Sequence, residues 1–491
     1  MTQLFPRLAS PTSRLAVRID GASWSYDALT AATHAHVTKL EEAGIVRGDR
    51  VGVFAASSLS TVAAILGNLS HGAVTVGLSP KLGPRELTHI LSDASPKLVF
   101  ADSDHPVPDT PPGLPLLRER YEGLQVDPCS IPIPVDGDAA LVLYTSGTTG
   151  APKGVVITRR NIAENLDALS AAWAWTESDT VVHALPLIHV HGLVLGLFGS
   201  LRVGGALHHV SRFSPGAMAE ALTDPSRRGS TVLFAVPTMY HRLAEAAETD
   251  ARIATALSEP RLLISGSAGL PLREHERIRA ITGRGVHERY GLTETLINCA
   301  VPAAAPPMPG YVGSPLPGVE LRLVDEQRNA IDANDDSTIG EVAVRSASVF
   351  AGYLNQPDAT RAVLDEDGWF YTGDLATRTT TGAIRILGRR STDLIKTGGY
   401  RVGAGEIEAC LLEHPACAEV AVVGMPDDDL GQRIVAFVVL RDGQPDDTAP
   451  LMDHASTQLS RHKQPREVRF VDELPRNAMG KVQKKRLLPS P

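Results

Sequence analysis

Over the first 135 residues, segments with helix-spaced apolar positions alternate with short runs that are apolar throughout. Residues 25–43 carry the helical spacing, while 51–55 and 97–101 are short apolar runs that predict strands buried on both faces. Residues 62–77 are rich in Ala and Gly, which suits close packing against a sheet. The pattern returns further on: helical spacing over 159–175, then strand-like runs at 181–184, 231–235, 262–264 and 286–289, each followed by a polar or glycine-bearing turn. Pro237 suits the first turn of a helix. Strand ends that repeatedly run into such turns predict loops converging along one edge of an open sheet, where α/β proteins bind ligands. From about residue 318 the texture becomes β segments (319–324, 340–344, 383–387) separated by turns. Beyond the polar stretch 388–393, a helix (405–413), strands (420–423, 434–440), a helix (448–459) and a strand (468–470) predict a separate α+β unit. The expected fold is therefore α/β: a large N-terminal domain of αβ-layered subdomains plus a β subdomain (residues 1–389), then a small mobile α+β lid domain (390–491).

Length supports that division, because 491 residues exceed the size at which one core stops growing. A net charge of -9 argues against a general nucleic-acid binder or a basic membrane-surface protein, so anionic ligands must be met by local clusters. The four cysteines, Cys129, Cys299, Cys410 and Cys417, form no C-x-x-C pair, and reduced thiols are expected rather than a disulfide framework or a zinc site. No window reaches the ~18 uninterrupted apolar residues that span a bilayer, and residues 1–14 lack a basic start followed by an apolar run. These features point to a cytoplasmic protein without membrane or nucleic-acid partners.

The most informative stretch is 141–154, Leu-Val-Leu-Tyr-Thr-Ser-Gly-Thr-Thr-Gly-Ala-Pro-Lys-Gly, where an apolar run breaks into hydroxyls and glycines closed by a lysine. Gly147, Gly150 and Gly154 allow tight turns whose backbone N–H groups can nest an anion. Thr145, Ser146, Thr148 and Thr149 add hydroxyl donors, and Lys153 adds a mobile positive charge. The Walker spacing G-x-x-x-x-G-K-[ST] is absent. The string instead resembles the ATP-phosphate loop of the adenylate-forming superfamily, which contains acyl-CoA synthetases, luciferases and peptide-synthetase adenylation domains.

That resemblance extends to Lys481 and implies ATP, Mg²⁺ and CoA as cofactors and cosubstrate. It implies that Tyr290-Gly-Leu-Thr-Glu294 supplies Thr293 near the α-phosphate and Glu294 as the Mg²⁺ ligand, a single carboxylate beside phosphate being sufficient for that ion. Ser265, Gly266, Ser267 and Ala268, with Glu288, Arg289 and Tyr290, would flank the adenine. Asp374 in Tyr371-Thr-Gly-Asp374 would accept from the ribose hydroxyls, and Arg389 would reach ribose or phosphate from a hinge at Thr392 or Asp393. Lys396, Gly398, Gly399 and Tyr400 would border the CoA channel. Lys481, in Pro475-Arg-Asn-Ala-Met-Gly-Lys481, would drive adenylation together with Thr148 and Glu294, a cation following charge as it moves onto phosphate. An exposed lysine of this kind would also be a target for a lysine acyltransferase.

The acid is expected between 186–192, the Pro237 helix start and the turns after Ile264 and Arg289. Arg242 on the Pro237 helix is the expected principal partner of a second, non-reacting carboxylate, which guanidinium binds through two parallel bonds, with Arg261 before the 262 strand and the pair His189 and His191, on one side of an extended segment, supporting it. Val190 and Ile297 would border the substituent. The strings His189-Val-His-Gly-Leu, Val236-Pro-Thr-Met-Tyr-His-Arg242 and Ser265-Gly-Ser-Ala resemble malonyl-CoA synthetases, which implies a ligase joining malonate or a 2-substituted malonate, such as methylmalonate, to CoA. The alternatives are a medium-chain or aryl acid CoA ligase, and a non-ligase protein on the same fold, luciferase-like or binding.

Overall fold

In a computed structural model, the chain is described over residues 2–123, 127, 129–145, 152–225, 229–390, 393–398, 400–476 and 482–488. Two sheets dominate the first 315 residues. A nine-stranded sheet runs Ser314–Pro315, Leu296–Ala300, His287–Leu292, Leu262–Ser265, Thr231–Ala235, Thr180–His183, Ala206–His209, Leu15–Ile19 and Ala22–Ser25. Its strands from His287–Leu292 to Leu15–Ile19 are parallel to one another, so their C-terminal ends share one edge. A seven-stranded sheet holds Ala139–Thr145 and Lys153–Thr158 beside Val74–Leu78, with the short strand Gly352–Tyr353 at its margin.

One apolar cluster joins both sheets through the helices Tyr26–Glu42, Leu59–His71 and Arg159–Trp173. Every residue from Leu59 to Leu69 is buried, which explains the Ala/Gly-rich composition: a helix covered all round needs small side chains where neighbours come close. Asn165 on Arg159–Trp173 brackets the backbone of Ile297, donating to its carbonyl (2.8 Å) and accepting from its N–H (3.2 Å). That bracket fixes the strand after Glu294 to the shared core.

The segment after Leu187 departs from the expected extended course, for Val190–Phe198 is a π-helix. Gly192 and Gly196 make this possible. A Cβ at Gly192 would lie 2.3 Å from the Pro186 carbonyl oxygen, and one at Gly196 would lie 2.1 Å from Nε2 of His183. Such wide turns are rare and cluster at functional sites.

Residues 320–389 form the predicted β subdomain, an antiparallel sheet ordered Ala330–Ile331, Glu320–Val324, Gly340–Arg345, Phe370–Arg378, Ile384–Arg389. From Leu394 onward the strands belong to another sheet: Tyr400–Gly403, Leu394–Thr397, Gly431–Leu440 and Cys417–Asp427, with Glu467–Phe470 beside Gly431–Leu440. This small C-terminal domain has its own core, with the helices Ala404–Glu413 and Ala449–Gln458 packed on its sheet. No helix among the described residues is long and apolar enough to cross a membrane.

At the entrance to this domain Asp393 is pinned from two sides. Its Oδ2 accepts from the backbone N–H of Arg389 (2.7 Å), and its Oδ1 meets the Lys484 ammonium (2.5 Å), which also reaches Glu408 Oε1 (2.6 Å). Glu408, on Ala404–Glu413, accepts from the Val422 N–H as well (2.7 Å). Burial pushes the Glu408 carboxyl up, and Lys484 pulls it back. Removing one partner of a buried ion pair costs about 3 kcal/mol because the remaining charges lose compensation. Lys484→Met should therefore speed amide hydrogen exchange in Ala404–Glu413 by roughly two orders of magnitude, with Leu59–His71 unaffected. Unchanged exchange in that helix would show that the triad does not hold the domain.

Candidate active site

The phosphate-loop stretch sits on a hairpin. Ala139–Thr145 pairs antiparallel with Lys153–Thr158, and Thr145 lies opposite Lys153 at its mouth. Ser146, Gly147, Thr148 and Thr149 lie outside the described residues. Lys153 extends over the ring of Tyr353, its Nζ 4.9 Å from the ring centroid. The Tyr353 hydroxyl donates to Oε1 of Glu294 at 2.9 Å. Glu294 and Thr293 occupy the turn between His287–Leu292 and Leu296–Ala300, both partly exposed. Gly291 is required there, since a Cβ would lie 1.8 Å from the Leu296 carbonyl oxygen. Tyr353 was not among the residues expected from sequence. Its only sequence signal is an aromatic after glycine in the short apolar run 349–354, which does not reveal its pairing partner.

The strand His287–Leu292 sends three consecutive side chains to three tasks, because alternate residues of a strand face opposite ways. Glu288 points away from the site. Its carboxylate accepts from the backbone N–H groups of buried Leu270 (3.0 Å) and exposed Gly310 (3.2 Å) and meets buried His275 Nε2 (3.0 Å). The expectation that Glu288 flanks the adenine is thus revised: with its oxygens engaged, it latches the loop after Ser265. Tyr290 is also buried, and its hydroxyl donates to Asp374 Oδ2 at 2.5 Å.

Arg289 faces the other side and is buried to within 6 % of full enclosure. Its Nε and Nη2 have no hydrogen-bond partner among the described residues, and no described carboxylate pairs with it. Burial lowers its pKa to about 10, which leaves the guanidinium charged at neutral pH. It passes directly over Gly266, where a Cβ would lie 2.4 Å from Nε. His191 stands beside it, held neutral by burial and by the Arg289 charge, with Nε2 unpartnered and Nδ1 3.4 Å from Ser267 Oγ. His189 is likewise depressed by burial. Ser265 Oγ and both amide atoms of Asn298 are buried without partners too. Each buried polar atom without a partner among the described residues calls for an explanation, and Arg289, His191 and Ser265 hold such atoms close together. Ser267 has φ 71°, a strained conformation for a residue other than glycine, and with Ala268 it is exposed at the rim.

The other two expected arginines differ. Arg242 is exposed on the helix Pro237–Ala247. Arg261 is removed from the acid site: its Nε and Nη2 bind the two oxygens of buried Asp179 (2.7 and 2.9 Å), and it also donates to the carbonyls of Trp173 and Ala174. It stands before the N-terminal end of Leu262–Ser265, and the strand's rise puts it roughly 13 Å from Ser265 at the ligand edge. Ile297 is fully buried in the shared core, and Val190 opens the π-helix, packed against that core.

Asp374 and Arg389 face each other across adjacent strands, with Arg389 Nε 2.9 Å from Asp374 Oδ1. In the C-terminal domain, Lys396 and Gly398 border the strand pair Leu394–Thr397/Tyr400–Gly403, and Tyr400 is exposed and stacked on His462. Gly399, Thr392 and Lys481 lie outside the described residues.

The chain is similar to known proteins over most of its length. The AMP-binding enzyme family matches residues 7–354, and the AMP-binding enzyme C-terminal domain matches 406–481. The mitochondrial malonate–CoA ligase of Homo sapiens is 38% identical over 481 residues, covering 91% of this chain and 83% of that protein. A malonyl-CoA ligase solved as a ternary product complex with methylmalonyl-CoA and AMP is 49% identical and covers 96% of this chain and all of its own, with a TM-score of 0.73. ATP-bound MatB from Rhodopseudomonas palustris is 33% identical over 99% of this chain and 98% of its own, with a TM-score of 0.88.

The placement of Arg261 gives a direct check. Arg261→Met should lower stability by about 3 kcal/mol, because Asp179 is left buried and unpaired, yet the Michaelis constant for the acid should stay within about twofold, the scatter expected for a site this distant. A large rise in that constant without loss of stability would return Arg261 to the acid site.

Proposed function

The chain belongs to the AMP-binding enzyme family and is an AMP-forming acid–thiol ligase, and we propose that its acid is malonate or a 2-substituted malonate. The observation that carries this reading is Arg289: a buried guanidinium with open donors beside neutral histidines. A fatty-acid or aryl pocket has no use for such a charge, whereas a dicarboxylate brings the missing partner. In this reading Arg289, rather than Arg242 as expected from the sequence, is the principal partner of the distal carboxylate, and Arg261, tied to Asp179, takes no part. Arg242 approaches from the Pro237 helix as a second cation, and neutral His189 and His191 offer hydrogen bonds. Val190 and Ile297 border the 2-substituent.

The near carboxylate attacks the α-phosphate of ATP, giving acyl-adenylate and pyrophosphate, and the CoA thiol then displaces AMP. Lys153 and Thr145, with the 146–149 stretch, hold the phosphates. Thr293 lies by the α-phosphate, Asp374 and Arg389 hold the ribose, and Ser265 to Ala268 wall the base together with the ring of Tyr290. Lys481 follows the developing negative charge. Lys396, Gly398, Gly399 and Tyr400 serve the thiol step. The described residues contain no cluster of three or more metal-binding side chains. A lone Glu294 beside phosphate fits Mg²⁺, which completes its shell with phosphate oxygens and water, better than a metal needing a protein cage. When bound, that ion would neutralise phosphate charge.

The adenylation arrangement of the lid is supported by the two scores: the ATP-bound relative superposes better (0.88) than the product complex (0.73), although it is less identical. A change in domain arrangement lowers a global score in that way. A cytoplasmic setting is supported by four free cysteines, though the human relative is mitochondrial. Acylation of Lys481 by a lysine acyltransferase would remove its charge and silence the first half-reaction.

Pyrophosphate release measured across a panel of acids tests the substrate class, with malonate and methylmalonate expected to exceed propionate, butyrate and benzoate. Arg289→Gln should raise the malonate constant about a hundredfold, the effect of leaving a desolvated charge unpaired, while propionate activity is kept or improved. Equal loss on both acids, or a malonate-selective loss confined to Arg242→Ala, would remove Arg289 from this role. Lys481→Ala should abolish adenylate formation yet spare thioester formation from supplied acyl-adenylate; equal losses in the two assays would contradict the division of labour.

A further inference from the structure

The strap 350–354 belongs to none of the expected motifs, yet it touches both ends of the phosphate site. Its backbone is pinned along its length. Phe350 N–H donates to the Glu294 carbonyl (2.8 Å), Ala351 N–H to the Val156 carbonyl (2.9 Å) and Leu354 N–H to the Gly154 carbonyl (2.8 Å). Gly352–Tyr353 adds an antiparallel strand to Lys153–Thr158, and Tyr353 N–H is held by Thr360 Oγ1 (2.9 Å). The Tyr353 ring packs edge-on against Phe350, centroids 4.9 Å apart. Its phenol therefore has a fixed origin.

We infer that Tyr353 is a positioning residue for nucleotide binding: its hydroxyl holds Oε1 of Glu294 so that Oε2 is left for Mg²⁺, while its ring seats Lys153 and keeps it apart from Glu294. This rests on the reading of Glu294 as the magnesium ligand. The arrangement answers a specific electrostatic difficulty. A lysine and a glutamate serving one triphosphate stand close enough to invite each other, and a direct ion pair would have to be broken each time ATP enters. No such pair occurs among the described residues; the tyrosine stands between the two charges, giving the carboxylate a neutral donor and the ammonium a quadrupolar face. Neither contact neutralises its partner. Oε2 of Glu294 has no partner among the described residues.

Calorimetric titration of the whole chain with ATP, once with Mg²⁺ and once with EDTA, separates the two contacts without relying on turnover. Tyr353→Phe keeps the ring and the Phe350 contact and removes only the hydroxyl. It should weaken MgATP binding about tenfold, the worth of a hydrogen bond to a charged group, and leave metal-free ATP binding within about twofold. Tyr353→Leu also removes the ring face and should weaken metal-free ATP as well, and Glu294→Gln should erase the advantage of MgATP over metal-free ATP. If Tyr353→Phe retains the full Mg²⁺ advantage while Glu294→Gln loses it, the positioning role falls and the metal reading stands. If Glu294→Gln retains the advantage, the metal reading falls and the inference with it. A purely structural role for the hydroxyl would weaken MgATP and metal-free ATP alike in Tyr353→Phe, which also overturns the inference.

Discussion

A buried guanidinium, Arg289, without a counter-ion among the described residues is the constraint on which the proposed acid site depends. Taking a cation from water into a protein interior costs several kcal/mol unless an anion compensates it, and no described carboxylate does so for Arg289. The surroundings accommodate this charge and leave it unneutralised. Gly266 gives it passage where any side chain would collide, and the histidine beside it is kept uncharged by the same burial and by Arg289 itself. The glutamate next to it in sequence, which could have paired with it, is turned to the opposite face and tied to His275. A core that tolerates such an uncompensated charge has lost stability there, and under the proposed function a ligand that enters with a carboxylate to spare would restore it.

Much of this was legible in the sequence. The alternation of helix-spaced and fully apolar segments predicts the α/β body, and the change of texture near residue 318 predicts the β subdomain and the small domain beyond it. The strand-to-turn pattern at 231–235, 262–264 and 286–289 locates the ligand edge, because parallel strands must end together. What could not be read was direction. Arg242 and Arg261 looked suitable by their distance from a helix or strand start, but chain distance does not tell which end of a strand faces the ligand or which partner a guanidinium finds. Asp179, 82 residues away, claims Arg261. Glu288, Arg289 and Tyr290 read as one adenine-flanking string, yet strand alternation and the bulge after Tyr290 send Glu288 to the Leu270 and Gly310 loops, Arg289 to the opposite face beside His191, and Tyr290 to Asp374. The π-helix escaped because its glycine spacing carries meaning only once His183 and Pro186 stand behind it.

The nucleotide side shows the same dependence on distant pairing. Lys153, Glu294 and Tyr353 come from three separated stretches, and nothing local to any of them announces the others. The marginal strand Gly352–Tyr353 unites them by extending the hairpin that carries the phosphate loop. A two-residue strand is a weak element alone, yet the hydrogen bonds that its neighbours Phe350, Ala351 and Leu354 donate to the carbonyls of Glu294, Val156 and Gly154 make it stiff where stiffness matters. Site geometry of this kind is set by backbone pairing across the fold more than by any motif.

Under the proposed reading, the two sides of the acid site discriminate by different physics and to different degrees. A monocarboxylic acid entering the pocket would leave Arg289 buried and unpaired, so rejection of uncharged analogues rests on an electrostatic penalty. Sites that must satisfy a buried polar group reject analogues lacking the partner by factors of roughly 10⁴. The 2-substituent meets only apolar neighbours such as Val190 and Ile297, where one methylene changes binding by about 1–3 kcal/mol. Ile297 is fixed by its Asn165 bracket, but Val190 opens a π-helix whose turns are wider than those of an α-helix. The site is therefore strict about the second charge and lenient about the substituent between the two carboxylates. A single scaffold can then serve malonate and its alkylated relatives while refusing the simple acids that resemble them in size.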